Sequence, residues 1–120
     1  MEEKMRHMAQ DICSAYGAKA EFEYEHRYPA TINTEAESDI AAQVATSIVG
    51  KESVNLNPTP AMGSEDFAFM LQEKPGSYVW IGNGKTDSVH NPGYDFNDPV
   101  APVGATYWVK LIETLLPPIS

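Results

Sequence analysis

Between Met62 and Asp98 the chain reads as a turn, a helix, a short apolar strand and a long polar loop, and this order constrains the fold more than any other stretch. Met62-Gly63-Ser64-Glu65-Asp66-Phe67 supplies the turn. Ser64 is a suitable N-cap, and Glu65 and Asp66 suit the positive end of a helix running to about Glu73, where Pro75-Gly76 breaks it. Residues 77–81 contain Tyr78-Val79-Trp80-Ile81, with no polar alternation, the pattern of a central strand covered on both faces. Gly82-Asn83-Gly84 follows as a turn signal, and residues 82–98 then form a loop long enough to be functional or firmly pinned. In open α/β sheets such loops, at strand ends, are where ligands and metals sit.

The flanking segments read as support. Met5, Met8, Ala9, Ile12, Cys13 and Tyr16 recur at helical spacing over residues 2–16, and Gly17 is a left-handed stop. Residues 18–28 alternate: Ala18, Ala20, Phe22, Tyr24, His26 and Tyr28 on one side, charged residues on the other, a strand with one wet face that Pro29 ends. Thr34-Glu35-Ala36-Glu37 has the form of a capping box, with the Thr34 hydroxyl accepting from the Glu37 backbone; Ile40, Val44 and Ile48 then mark a helix face ending at Gly50. Residues 54–57 are a weak strand. The last helix, near 102–116, carries Val103, Tyr107, Leu111 and Leu115 on one face, with Trp108 and Ile112 widening it, and Pro117-Pro118 stops it. The expectation is an α/β fold with helices near 2–16, 35–49, 64–73 and 102–116, strand 77–81 buried, and a change of character at 30–34.

At 120 residues the chain has the length of one domain, able to bury roughly two-thirds of its unfolded surface. A net charge of −9 argues against nucleic acid and anionic membrane as partners, which call for basic surface. No apolar run approaches the roughly 20 residues of a membrane helix, and no basic-then-apolar leader is visible. One cysteine, Cys13, allows no internal disulfide, in keeping with a cytoplasmic setting. On its apolar stripe it reads as a buried thiol rather than a nucleophile.

Among residues able to carry chemistry, His90 stands out. It lies outside every regular element, near Asp87, Asp95 and Asp98, and imidazole serves both as metal ligand and as general base. His26 shares an aromatic strand face and reads as a hydrogen-bonded packing residue, and His7 as a solvated one. The Ser64-Glu65-Asp66 cluster is the second candidate, although helix capping accounts for it by itself. No P-loop, zinc-finger spacing or nucleophile elbow is present.

The blocks Met62 to Phe67, Pro75-Gly76-Ser77-Tyr78, Trp80-Ile81-Gly82 and His90-Asn91-Pro92 with Tyr94-Asp95-Phe96-Asn97-Asp98 together resemble the C-terminal portion of a metal-dependent amidohydrolase and metallopeptidase family. That family includes hippurate hydrolases, N-acyl-amino-acid deacylases and indole-acetyl-amino-acid hydrolases. Tyr16-Gly17-Ala18 and Tyr28-Pro29-Ala30-Thr31-Ile32-Asn33 fit the stretch just before, so the resemblance covers essentially the whole chain. It implies a two-domain co-catalytic metallohydrolase, of which residues 1–29 end the lid and dimerisation domain, 30–34 form a hinge, and 35–120 close the catalytic α/β domain. It implies that His90 is a ligand of the second of two divalent metals (manganese, zinc or cobalt), and that Gly63, Ser64, Glu65 and Asp66 lie close to metals and substrate. The family's other ligands, a His-x-Cys pair, a Glu-Glu pair with the general base and a further His, have no match here. The resemblance therefore implies part of a hydrolase of N-acyl amino acids, inactive in isolation. The expected partners are the small-molecule substrate of the complete enzyme and a second copy, or another protein, covering exposed apolar surface. A truncated, non-catalytic interaction module is the alternative, and a generic acidic α/β domain a third reading.

Overall fold

The computed structural model describes residues 1–116. Four helices occur there: α1 (Glu2–Ala15), α2 (Glu35–Val49), α3 (Phe67–Glu73) and α4 (Ala101–Leu115), with 3-10 turns at Lys51–Ser53 and Asp98–Val100. The expected stop at Pro117-Pro118 lies outside the described residues.

Helix α1 ends as the sequence leads one to expect. Gly17 takes φ +73°. Its N–H reaches the Ser14 carbonyl at 3.0 Å, and the Ala18 N–H reaches that of Cys13 at 2.9 Å. This is the Schellman arrangement, which meets carbonyls the helix leaves open. The chain then runs back along α1 in extended form. Arg6 donates to the Phe22 carbonyl at 3.3 Å and to Glu2 at 2.7 Å, its guanidinium standing 4.9 Å from the Phe22 ring. His26 Nε2 and the other Glu2 oxygen are 2.8 Å apart. His26 and then Arg6 hold the Glu2 carboxyl below its usual range. That contribution is present above the usual value of 4.5 and is lost as pH falls through the lowered one. Phe22 stacks on Tyr24 at a ring separation of 6.4 Å and Tyr24 meets His26 edge-on at 4.8 Å. These alternate side chains share a side, but Tyr24, His26 and Tyr28 on it are exposed rather than dry.

The side of α1 that faces this segment carries the half-buried Glu2, Arg6, Ala9 and Cys13. Met5, Met8, Ile12 and Tyr16, placed by periodicity on the packed stripe, are exposed. Periodicity finds the apolar side of a helix but not what arrives to cover it.

Helices α2 and α4 pack on each other, and the core lies between them: Ala41, Val44 and Tyr107, flanked by Ala45, Ile48 and Leu111. These are the faces marked by Ile40-Val44-Ile48 and by Val103-Tyr107-Leu111. Leu115, and Trp108 and Ile112 that were expected to widen the second face, are exposed. Helix α3 adds a separate point, Ala68, the one residue with no exposed surface among those buried.

The described residues contain no paired strand, which corrects the expected α/β sheet. Residues 18–28 face a helix, and neither residues 54–57 nor residues 77–81 form a strand. Trp80 is 63% exposed, not buried as the apolar run implied. A strand needs the backbone of a neighbour. Here side chains replace it: Asn33 accepts from the Tyr78 N–H at 2.8 Å and donates to the Tyr78 carbonyl at 2.9 Å. The Thr34 N–H donates to the Gly76 carbonyl, and the Thr34 hydroxyl accepts from the Gly76 N–H, both at 3.0 Å. That hydroxyl also meets the Glu37 carboxylate, so Thr34 and Glu37 pair without the expected bond to the Glu37 backbone. The amide it was expected to cap loses the contest to Gly76.

The chain is long rather than round. Its radius of gyration is 20.9 Å, with extents of 75 × 37 × 22 Å, against about 14 Å for a compact chain of this length. Alpha helix α1 makes no packed contact with another helix, so the α2–α4 core and the α1 unit share no interior.

Candidate functional site

The loop of residues 82–98 is built by a few polar side chains. Asn83 donates from Nδ2 to the Asp95 carbonyl at 2.7 Å, and its Oδ1 accepts from the Asn97 N–H at 2.8 Å. The Thr86 hydroxyl accepts from the Asp95 N–H at 3.0 Å. These three bonds close the neck. Beyond it the chain makes two tight turns. The Asn91 N–H donates to the Ser88 carbonyl at 3.1 Å, placing His90 third in the turn, the position that takes positive φ in a type II turn. His90 has φ +69°, the only non-glycine residue with positive φ among those described. The Tyr94 N–H then donates to the Asn91 carbonyl at 3.0 Å, and Asn91 Oδ1 accepts from the Gly93 N–H at 2.8 Å. Pro92, second in that turn, has the φ such a position takes. The Asp87 carboxylate lies directly over Gly93, where any Cβ would collide with it.

His90 is thus held exposed at the tip of a pinned loop. Left-handed backbone costs a residue other than glycine about 1–2 kcal/mol, and such conformations persist where surrounding structure fixes them, often at functional sites. Asp87 and Asp95 share the loop with His90. Even so, no three His, Cys, Asp or Glu side chains among the described residues come together so that they could hold a metal ion. The donors present do not by themselves fit a divalent metal, which in a catalytic zinc site takes three protein ligands.

The second candidate cluster stands elsewhere. Helix α3 begins at Phe67 with Asp66 as its N-cap, so the expected start at Ser64 moves three residues on. Glu65 and Asp66 carbonyls accept from Ala68 and Phe69, both at 3.1 Å. The Asp66 carboxylate caps nothing. It accepts from the Tyr28 hydroxyl at 3.0 Å, and the Tyr28 ring lies 5.6 Å from that of Phe69. Ser64 lines an open cleft of about 430 Å³ with residues 24–28, and Gly63 is exposed with free space around it. A second open cleft is lined by Asn83, Lys85, Thr86 and residues 95–99. Among the described residues no hydrogen bond joins residues 63–66 to the 82–98 loop; the structure brings Ser64 and Asp66 to the end of segment 18–28 and leaves His90 apart from them.

The Tyr28–Asp66 bond has a pH signature. Asp66, as hydrogen-bond partner and then as a nearby charge, raises the Tyr28 phenol above its usual range. Burial raises that of Tyr107. A raised folded value means that the contribution is complete below the usual value of 10.0 and is lost as pH climbs through the raised one. Ultraviolet titration of phenolate should show two late phenols in the wild type and one in Tyr28→Phe, which keeps the ring against Phe69. If the phenol lost in Tyr28→Phe is one that titrates in the ordinary range, with the late ones unchanged in number, the bond does not form in solution.

Asn83, Thr86, Asn33 and Tyr28 were not legible as site-building residues. Asn83-Gly84 reads only as a turn in sequence, because an asparagine's partners twelve and fourteen residues on leave no local trace.

The profile of peptidase family M20/M25/M40 matches residues 3–114. An N-acetylcysteine deacetylase of Bacillus subtilis is 31% identical over 118 residues, which is 98% of this chain and 30% of the relative. A hippurate hydrolase of Campylobacter jejuni is 31% identical over 110 residues, 92% of this chain and 29% of the relative. Thermostable carboxypeptidase 1 of Saccharolobus solfataricus is 32% identical over 107 residues, 84% of this chain and 26% of the relative. The chain thus spans less than a third of the length of these relatives. No solved structure matches it significantly.

Proposed function

This chain belongs to peptidase family M20/M25/M40, and we propose from that membership that it is the C-terminal part of a metal-dependent hydrolase cleaving the amide bond of N-acyl amino acids. The observation that carries the proposal is the match over residues 3–114, together with relatives named for deacetylating N-acetylcysteine and hydrolysing hippurate. In this reading residues 1–29 end the lid and dimerisation domain, 30–34 are the hinge, and 35–120 close the catalytic domain. His90 is one ligand of a two-metal site that takes manganese, zinc or cobalt. The other ligands and the general base come from outside these 120 residues. Gly63, Ser64, Glu65 and Asp66 stand beside the substrate in the complete enzyme. Its setting is cytoplasmic; no helix among the described residues is long and apolar enough to cross a membrane.

One observation favours a second reading, a non-catalytic interaction module. Apolar side chains are exposed on α1 at Met5, Met8 and Ile12, on α4 at Trp108 and Ile112, and along Val79-Trp80-Ile81. In the first reading these surfaces are covered by the rest of the enzyme or by a second copy.

The two readings separate in one experiment. The full-length protein that carries this chain is assayed on N-acetyl and N-benzoyl amino acids with manganese, zinc or cobalt added. Metal-dependent hydrolysis is expected. His90→Asn should lower it by more than the roughly 10–100-fold that disturbing an outer-shell partner costs. Asparagine is chosen because it tolerates positive φ better than alanine. No metal-dependent turnover of any substrate would favour the interaction module.

A further inference from the structure

We propose that Asn83 is the positioning residue for His90: its side-chain amide closes the neck of the 82–98 loop and so fixes where the imidazole stands. The assignment rests on His90 serving the hydrolysis proposed above.

Three bonds cross the neck, and Asn83 makes two of them, donating to the Asp95 carbonyl at 2.7 Å and accepting from the Asn97 N–H at 2.8 Å. The third joins Thr86 to the Asp95 N–H at 3.0 Å. The bonds inside the tip are all short in sequence: Ser88 to Asn91, Asn91 to Gly93, and Asn91 to Tyr94. Those bonds shape the tip but attach it to nothing else. The returning limb passes from Asn97 into the 3-10 turn Asp98–Val100 and then into α4, which is packed on α2. Asn83 therefore ties the outgoing limb to the part of the chain that leads straight into the core.

The residue type follows from the partners. The Asp95 carbonyl needs a donor and the Asn97 N–H needs an acceptor. A carboxamide presents one of each on a single planar group. A carboxylate keeps the acceptor but turns a second oxygen toward the Asp95 carbonyl. Gly84, at φ +81°, lets the backbone turn away immediately after the staple. Without Asn83 a single bond, Thr86 to the Asp95 N–H, is left across the neck, so the tip keeps its turns but not its fixed place, and a displacement of about 1 Å at a reacting group can cost about a hundredfold in rate.

The test uses the full-length enzyme with Asn83→Ala, Asn83→Asp and His90→Asn, each checked for fold by circular dichroism. Two quantities are read: kcat and KM on the best N-acyl amino acid, and hydrogen–deuterium exchange of the loop amides. Asn83→Ala should lower kcat by about 10–100-fold with KM within about twofold, and amides 91–97 should exchange faster. Asn83→Asp, keeping the Asn97 bond, should fall between it and wild type in both. Should Asn83→Ala fail to fold, Asn83→Asp carries the test by the same two readouts. Wild-type kcat in a folded Asn83 variant, beside an inactive His90→Asn, would overturn the positioning role while leaving the functional reading intact. Full activity in His90→Asn, or a wild type that turns over no N-acyl amino acid, would remove the reading and this inference with it.

Discussion

The 120-residue chain, purified and supplied with manganese, zinc or cobalt, is expected to release no amino acid from N-acyl substrates above the uncatalysed background. Amide hydrolysis in a two-metal site draws on a water made acidic by the metals, a carboxylate to take its proton and donors for the tetrahedral oxyanion. The described residues bring no three potential ligands together. The carboxylates nearest in sequence to His90 are differently placed: Asp87 lies against Gly93, and Asp95 has its backbone tied into the neck by Thr86 and Asn83. One exposed imidazole falls short of the three protein ligands that catalytic zinc takes. The measurement is product release with each metal, run beside His90→Asn, with calorimetric titration of the metal on the same samples. The expected outcome is no turnover by either chain and weak metal binding that the substitution barely changes. Metal-dependent turnover by the chain, absent from His90→Asn, would mean that a site assembles between copies and that the rest of the enzyme is not required.

The helices were legible because their signals are local. The expected 2–16 is Glu2–Ala15, 35–49 is Glu35–Val49, and 102–116 is Ala101–Leu115. Gly17 and Gly50 stop helices with φ of +73° and +81°, a choice made within one turn of chain. The start of α3 was misplaced because Ser64 is a good cap only if nothing else engages the turn, and Tyr28, from far upstream, engages Asp66. The strands failed for a related reason. Alternation over 18–28 and the apolar run at 77–81 show which side chains share a face, while a strand also requires a backbone partner, which no local pattern supplies. Segment 77–81 has Asn33 and Thr34 beside it instead, more than forty residues away in sequence. The site divides in the same way. A long polar loop with one histidine is visible in the sequence, and the structure shows it pinned. The atoms that pin it, on Asn83 and Thr86, bond across nine to fourteen residues and carry no motif.

Replacing Tyr107 by alanine is expected to unfold the α2–α4 pair at temperatures where α1 remains helical. Tyr107 is 8% exposed and is the one large side chain in a core whose other fully packed members are Ala41 and Val44. Its ring also meets that of Trp108 edge-on, at 5.5 Å. Alanine is the better helix former, which favours the variant by about 0.5 kcal/mol. Truncating a buried aromatic costs about 3–5 kcal/mol in lost burial and residual cavity. The cavity term wins by a wide margin, and compact domains have only about 5–15 kcal/mol in total to lose. An elongated chain with three core residues lies at the low end of that range or below it. The α1 unit is held by Arg6, Glu2, Phe22 and His26 and touches none of those core side chains. Tyr107→Ala should therefore lose part of its helical signal at room temperature, or melt at least about 10 °C earlier. Tyr107→Phe should melt near wild type, since burial disfavours the charged phenolate and the ring supplies the packing. Circular dichroism melts of the three proteins decide it. A Tyr107→Ala chain that melts with the wild type would show that stability resides somewhere other than this helix pair.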